Sequence, residues 1–154
     1  MNSTKKTIIG TIILIALIII FMGFFNFLKP KNNSFVTEKA FENNCKKQIQ
    51  MSPMTLKQLR NLNVTENKEL KLEYFFYTNT NEKAEQLAKE LEQLNYEVKF
   101  GVSAGNKKLF IITGRTTKIK MSEELVTNWT KEMCERGYKF DCEFDGWGTE
   151  PNQD

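Results

Sequence analysis

The chain has 154 residues, enough for one modest domain and a short additional segment but not for two large cores. Its 22 Lys/Arg and 19 Asp/Glu leave a net charge of +3, and that average hides a split. Residues 1–70 carry ten basic and four acidic side chains (+6), whereas residues 71–154 carry twelve and fifteen (−3). There is no histidine, which excludes Ser-His-Asp and Cys-His catalysis, histidine metal sites and imidazole pH switching. The three cysteines, Cys45, Cys134 and Cys142, have no CxxC spacing, which excludes a zinc ribbon or a thioredoxin-type centre. So sparse and odd a count suits a reducing compartment.

Residues 1–6 form a short tail. From Thr7 to Leu28 the chain reads TIIGTIILIALIIIFMGFFNFL, without a charge. A helix of that length spans about 33 Å, the thickness of the hydrocarbon layer. Lys5/Lys6 and Lys29/Lys31 bracket it as interfacial anchors. The apolar run is too long for a signal peptide, and its exit lacks small-x-small residues, so an uncleaved single span is expected. Lys29, Lys31, Lys39, Lys46 and Lys47 on the long side favour a cytoplasmic domain. Lys5, Lys6 and the α-amino group on the short side pull the other way.

Residues 29–54 read as linker and stalk. The stretch 29–36 is polar, and Phe41, Cys45 and Ile49 suggest a short helix over 37–49. Ser52-Pro53 then resembles a fresh N-cap followed by proline at the first helical position, with Leu56, Leu59 and Leu62 on one stripe.

Residues 55–148 carry a repeated pattern. Leu70 to Thr78 alternates as a strand, with Glu73, Phe75 and Tyr77 on the face opposite Leu72, Tyr74 and Phe76. Ala84, Leu87, Ala88, Leu91 and Leu94 recur at helical spacing, and Asn95 stands where a helix ends in the left-handed conformation. Tyr96, Val98, Phe100 and Val102 alternate again. After GVSAGNK (101–107), Lys108 to Thr113 reads as a third strand. Ser122 caps a helix that opens on Glu123 and Glu124 and carries Leu125, Trp129 and Met133. Gly137 reads as its stop, and Tyr138, Phe140, Cys142 and Phe144 alternate with Lys139, Asp141, Glu143 and Asp145 as a last strand. The order β-α-β-β-α-β predicts an α+β, ferredoxin-like sandwich with two helices on one face of an antiparallel sheet. Residues 149–154 form a C-terminal tail.

Such a fold leaves one sheet face open. The alternation assigns to it Glu73, Phe75, Tyr77, Phe110 and Ile112, flanked by Glu97, Lys99, Asp141, Glu143 and Asp145. The aromatics suggest RNA stacking, but a face edged with acids repels phosphate, so no direct nucleic-acid binding is expected. Rings with carboxylates fit a basic protein partner, the rings supplying contact area and the acids steering. For each acid taken singly, a solvated surface is the simpler reading. Asp141, Glu143 and Asp145 in a row lack any EF-hand pattern, so no metal and no cofactor are assigned. Phe144-Asp145-Gly146-Trp147 ends the pattern: Asp-Gly allows a sharp turn, and Trp147 folds back to close the core or joins the partner surface.

The ordered set resembles the family of regulators of ribonuclease E activity B (RraB). It comprises Leu56 and Leu59, the strand Glu73-Tyr74-Phe75-Phe76-Tyr77, the Ala84/Leu87/Leu91 helix before Tyr96-Glu97-Val98, and the closing Phe144-Asp145-Gly146-Trp147. The resemblance implies a non-enzymatic protein that binds and inhibits a ribonuclease E-type endoribonuclease, so altering RNA turnover. It departs from the family's pattern in having Gly148 where Glu often follows the Trp, and in the apolar segment 7–28. The alternative is a membrane-anchored binding or immunity-type module for a different basic partner.

Overall fold

The computed structural model describes residues 34–153. The apolar segment 7–28 lies outside them, so the expected membrane span does too; among the described residues no helix is long and apolar enough to cross a membrane. The elements are α1 (Glu38–Asn61), β1 (Glu69–Leu70), β2 (Glu73–Thr78), α2 (Asn81–Glu92), β3 (Glu97–Val102), β4 (Phe110–Arg115), β5 (Ile119–Lys120), α3 (Glu123–Lys139) and β6 (Glu143–Gly148). An antiparallel four-stranded sheet in the order β3-β4-β2-β6 carries the domain, and β1 pairs with β5 as a small separate ribbon. The class is mixed α+β, and within residues 73–148 the main sheet and its helices follow β-α-β-β-α-β with β5 inserted before α3.

The core lies between one sheet face and the helices. Tyr74, Phe76, Ile112 and Phe144 point into it from the strands; Ala84, Leu87 and Leu91 meet them from α2, and Val126, Trp129 and Met133 from α3. Burying side chains of this size contributes roughly 1.5–3 kcal/mol each, which makes this layer the main source of stability. Burial also pushes the Tyr74 hydroxyl well above its usual range, and the hydroxyl donates to the Glu97 carbonyl oxygen at 2.8 Å. Thr37, Thr80 and Ser122 cap the three helices through their side-chain oxygens.

Each of the three described helices stops on a left-handed residue that is not glycine: Asn63 (φ 63°), Asn95 (φ 60°) and Asp141 (φ 59°). In each case the following amide reaches back over the last turn: Val64 to the Leu59 carbonyl, Tyr96 to Leu91, Cys142 to Gly137. Asn and Asp tolerate this backbone better than other residues with a Cβ, because their short polar side chains bond locally. Asn95 therefore ends α2 as its sequence predicts.

Three boundaries differ from the sequence reading. Residues 38–61 are one helix with Pro53 inside it, not two, and the expected linker–domain boundary at residue 54 falls in its middle. Ser52 does not cap a new helix; its hydroxyl bonds the Gln48 carbonyl at 3.1 Å and the Thr130 hydroxyl at 2.9 Å, fixing α1 against α3. Helix α3 runs on past Gly137 to Lys139, because the left-handed stop is Asp141, four residues later. The last strand consequently begins at Glu143, not Tyr138, and Asp145-Gly146 is not a turn after the strand but a bulge within it.

That bulge changes which way the strand's end faces. Phe144 pairs with Phe76, Gly146 with Phe75 and Trp147 with Tyr74, so Asp145 is an extra residue opposite β2. Without it Trp147 would alternate away from Phe144; with it both face the helix layer. Gly146 adopts φ 125°, which a residue with a side chain rarely does.

The two sheet edges are unlike. Beside β6, α1 sends the Asn44 side-chain amide to the Phe144 carbonyl at 2.7 Å, and the bulge further disrupts that edge. Among the described residues nothing pairs with the outer edge of β3, where Phe100 and Val102 are exposed. The close seat of β3 on β4 depends on Gly114, since a Cβ there would sit 1.8 Å from the Glu97 carbonyl oxygen and 2.7 Å from the Tyr74 hydroxyl. Gly114→Ala is expected to cost about 2 kcal/mol of stability by pushing β3 from β4, read by urea denaturation and faster amide exchange in β3.

Candidate functional site

The alternation of β2 turns Glu73, Phe75 and Tyr77 to the face that no described helix covers, all three half-buried. Register supplies their neighbours. Phe75 lies between Thr113 of β4 and the β6 bulge, and Tyr77 lies between Ile111 and Glu143. Lys99 and Gly101 of β3 continue the same two rows. The face is thus an aromatic and aliphatic strip of Phe75, Tyr77, Ile111 and Thr113, crossing the centre of the sheet.

Phe110 and Ile112, which the sequence assigns to this face, lie on the opposite one: Ile112 pairs with Phe76 and is fully buried, and Phe110 pairs with Thr78. The segment Phe110-Ile111-Ile112-Thr113 is apolar in both phases, so alternation alone does not say which pair faces inward. The close approach of Gly114 to Glu97 and Tyr74 is the signal that would have set the phase.

Charge is arranged less uniformly than a count of acids suggests. At one end of the face Glu73 accepts from the Arg115 guanidinium through Nε at 3.0 Å and Nη2 at 2.8 Å. Lys71 meets Glu97 at 2.6 Å and, by that hydrogen bond, holds its carboxyl below the usual range. These two carboxylates are therefore matched within the chain. Glu143 and Asp145 are exposed and have no ion pair among the described residues, which concentrates unmatched negative charge on the β6 side. Exposed pairs of this kind contribute little to stability.

Two predicted site residues are not on the face. Asp141 is 5 % exposed and sits in the turn between α3 and β6. Its Oδ2 accepts from the Phe35 amide and its Oδ1 from the Val36 amide, each at 2.9 Å, while Lys83 pairs with it at 2.8 Å. The Thr78 hydroxyl donates to its carbonyl oxygen at 2.9 Å. Asp141 is a clamp for the start of the domain, placed there because α3 is longer than its sequence suggests. Trp147 is turned by the bulge into the helix layer, where its ring meets Trp129 edge-on at 6.3 Å and its Nε1 donates to the Ser52 hydroxyl at 3.1 Å. Of the seven residues proposed, Glu73, Phe75, Tyr77 and Glu143 come together, with Asp145 at the rim.

Away from this face an open groove of about 590 Å³ lies between β5 and α3, lined by Ile119, Leu125 and Trp129 together with Lys118, Lys120 and Glu132. Among the described residues no group of Cys, Asp and Glu could hold a metal ion.

No curated protein matches the chain. The family model described as regulator of ribonuclease activity B matches residues 50–149, a stretch that takes in the second half of α1 and every strand and helix after it. The central strip, the bulge and the tryptophan seat all fall inside that match, and the chain belongs to the family of regulators of ribonuclease activity B.

Proposed function

We propose that the chain is a non-catalytic regulator that binds a ribonuclease of the ribonuclease E type through the open face of its sheet and restrains RNA cleavage. The observation that carries this reading is the uncovered strip Phe75–Tyr77–Ile111 inside a domain matched by a ribonuclease-regulator family. Half-buried aromatic rings of this kind gain most from desolvation against a partner. Glu143 and Asp145 beside them suit Lys- or Arg-rich segments and disfavour nucleic acid. The apolar segment 7–28 would hold the domain at a membrane as a single span, and the lysines that follow it support a cytoplasmic domain.

The test uses the full chain in detergent micelles with a purified ribonuclease E-type enzyme that retains its basic regions. Affinity and the rate of RNA cleavage are both measured. Phe75→Ala and Tyr77→Ala are each expected to weaken binding about 30-fold, roughly 2 kcal/mol, with unchanged stability. Charge reversal at Glu143 and Asp145 should slow association and flatten its salt dependence. Equal inhibition by wild type and both ring variants would remove the face from the interface. No binding by wild type would reject the ribonuclease and favour a different basic partner.

A further inference from the structure

Helices α1 and α3 run antiparallel, as two contacts far apart along them show. Near the start of α1 the Phe41 ring stacks on Tyr138 with centroids 4.3 Å apart and planes within 14°. Further along, the Ser52 hydroxyl meets Thr130 at 2.9 Å. Cys45 lies one turn beyond Phe41 and Cys134 one turn before Tyr138, so the same packing sets the two cysteines opposite each other across the helix pair. Cys45 packs against the buried cluster that contains Cys134, and burial, with Cys45 as a neighbour, pushes the Cys134 thiol well above the usual thiol range. Both thiols are reduced in this structure; Cys134 is buried, whereas Cys45 is only partly covered.

We propose that Cys45 and Cys134 form a disulfide that fastens α1 covalently to α3 when the protein meets a small-molecule disulfide. The exchange balances in two steps. The Cys45 thiolate attacks one sulfur of oxidised glutathione, forming a mixed disulfide and expelling one glutathione thiolate. Cys134 then attacks the Cys45 sulfur and expels the second glutathione, whose thiolate takes up the Cys134 proton. Two protein thiols are oxidised to one disulfide, and one oxidised glutathione is reduced to two thiols. The partly covered Cys45 is the point of entry, and the buried Cys134 resolves the intermediate.

The bond has a specific consequence for the chain. Cys45 lies ahead of the family-matched stretch and Cys134 within it, so the link joins the N-terminal half of α1 to the regulator domain. It closes a loop across most of the domain, the geometry in which a crosslink removes the most disorder from the unfolded chain.

The experiment treats the full chain in micelles with oxidised or reduced glutathione, quenches with iodoacetamide under denaturing conditions, and maps the peptides by mass. Oxidation should reduce the alkylatable cysteines from three to one, Cys142, with one intrachain Cys45–Cys134 peptide and an intact mass lower by two hydrogens. The crosslinked protein should melt about 5–10 °C higher, and reductant should reverse both changes. Cys45→Ser, checked for native circular dichroism, should leave Cys134 reduced. Glutathione stalled on Cys45 with Cys134 still alkylatable would overturn the proposal. So would unreacted thiols, or crosslinks between chains alone.

Discussion

Asp141→Ala should lower the stability of the domain by about 4 kcal/mol, and its effect should be felt first at the other end of the sequence. The carboxylate is nearly sealed from water and satisfies two backbone amides, Phe35 and Val36, more than a hundred residues away. Alanine removes both acceptors and the carboxylate that Lys83 pairs with, leaving its ammonium only the Asn79 side-chain oxygen, on a left-handed backbone that alanine adopts poorly. Breaking such a buried, hydrogen-bonded charge pair costs more than the pair contributes net, because the groups left behind stay desolvated. Asp141→Asn retains one side-chain carbonyl and the tolerance for positive φ, so it should lose only about 1–2 kcal/mol. Chemical denaturation supplies the magnitudes, and amide exchange at Phe35 and Val36 supplies the location. An alanine variant within 1 kcal/mol of wild type would show that the clamp has no energetic role.

The second large effect is expected at Trp147. Its ring packs edge-on against Trp129, which packs edge-on against Phe144 at 6.2 Å, and its indole N–H reaches the Ser52 hydroxyl that also bonds Thr130. Trp147→Ala removes a large half-buried ring where the sheet, α1 and α3 meet, and should cost about 3 kcal/mol. Trp147→Phe keeps most of the ring contact but loses the donor to Ser52, and should cost about 1 kcal/mol. Near-UV circular dichroism should lose the Trp129–Trp147 signal in both. The contrast with Phe75→Ala separates scaffold from surface: the ring on the open face should weaken binding without changing the melting curve. Loss of ribonuclease binding in fully folded Trp147→Phe would instead make the tryptophan part of the contact.

Local patterns in the sequence were enough for α2, its left-handed Asn95 and the two faces of β2. Each depends on neighbours within a turn or a strand, and Tyr74 and Phe76 point inward as alternation requires. The errors share a cause. In β4 both faces are apolar, so the phase was decided by β3 approaching Gly114. In β6 the phase was reset by one inserted residue that alternation cannot register. Helix α3 overran its glycine because the residue that ends it, Asp141, is held by the Phe35 and Val36 amides from distant chain. As a result, Glu73, Phe75, Tyr77 and Glu143 lie together on the open face, while Asp141 and Trp147 belong to the scaffold. Pro53 misled for a related reason: the packing of Gln48, Ser52, Leu56 and Leu59 on the buried face of the helix outweighs one missing hydrogen bond.

The unlike edges of the sheet bear on how copies of this domain can assemble. Strand addition needs a row of unpaired amides and carbonyls, and the bulge with the Asn44 amide denies that row on the β6 side. Among the described residues, strand addition is therefore left to the β3 edge. Two copies joined there around a twofold axis would present only blocked margins, so association would terminate at a pair instead of propagating into a filament. The inserted residue in the last strand, with the Asn44 amide, thus closes one of the sheet's two edges to strand addition, whichever partner its open face receives.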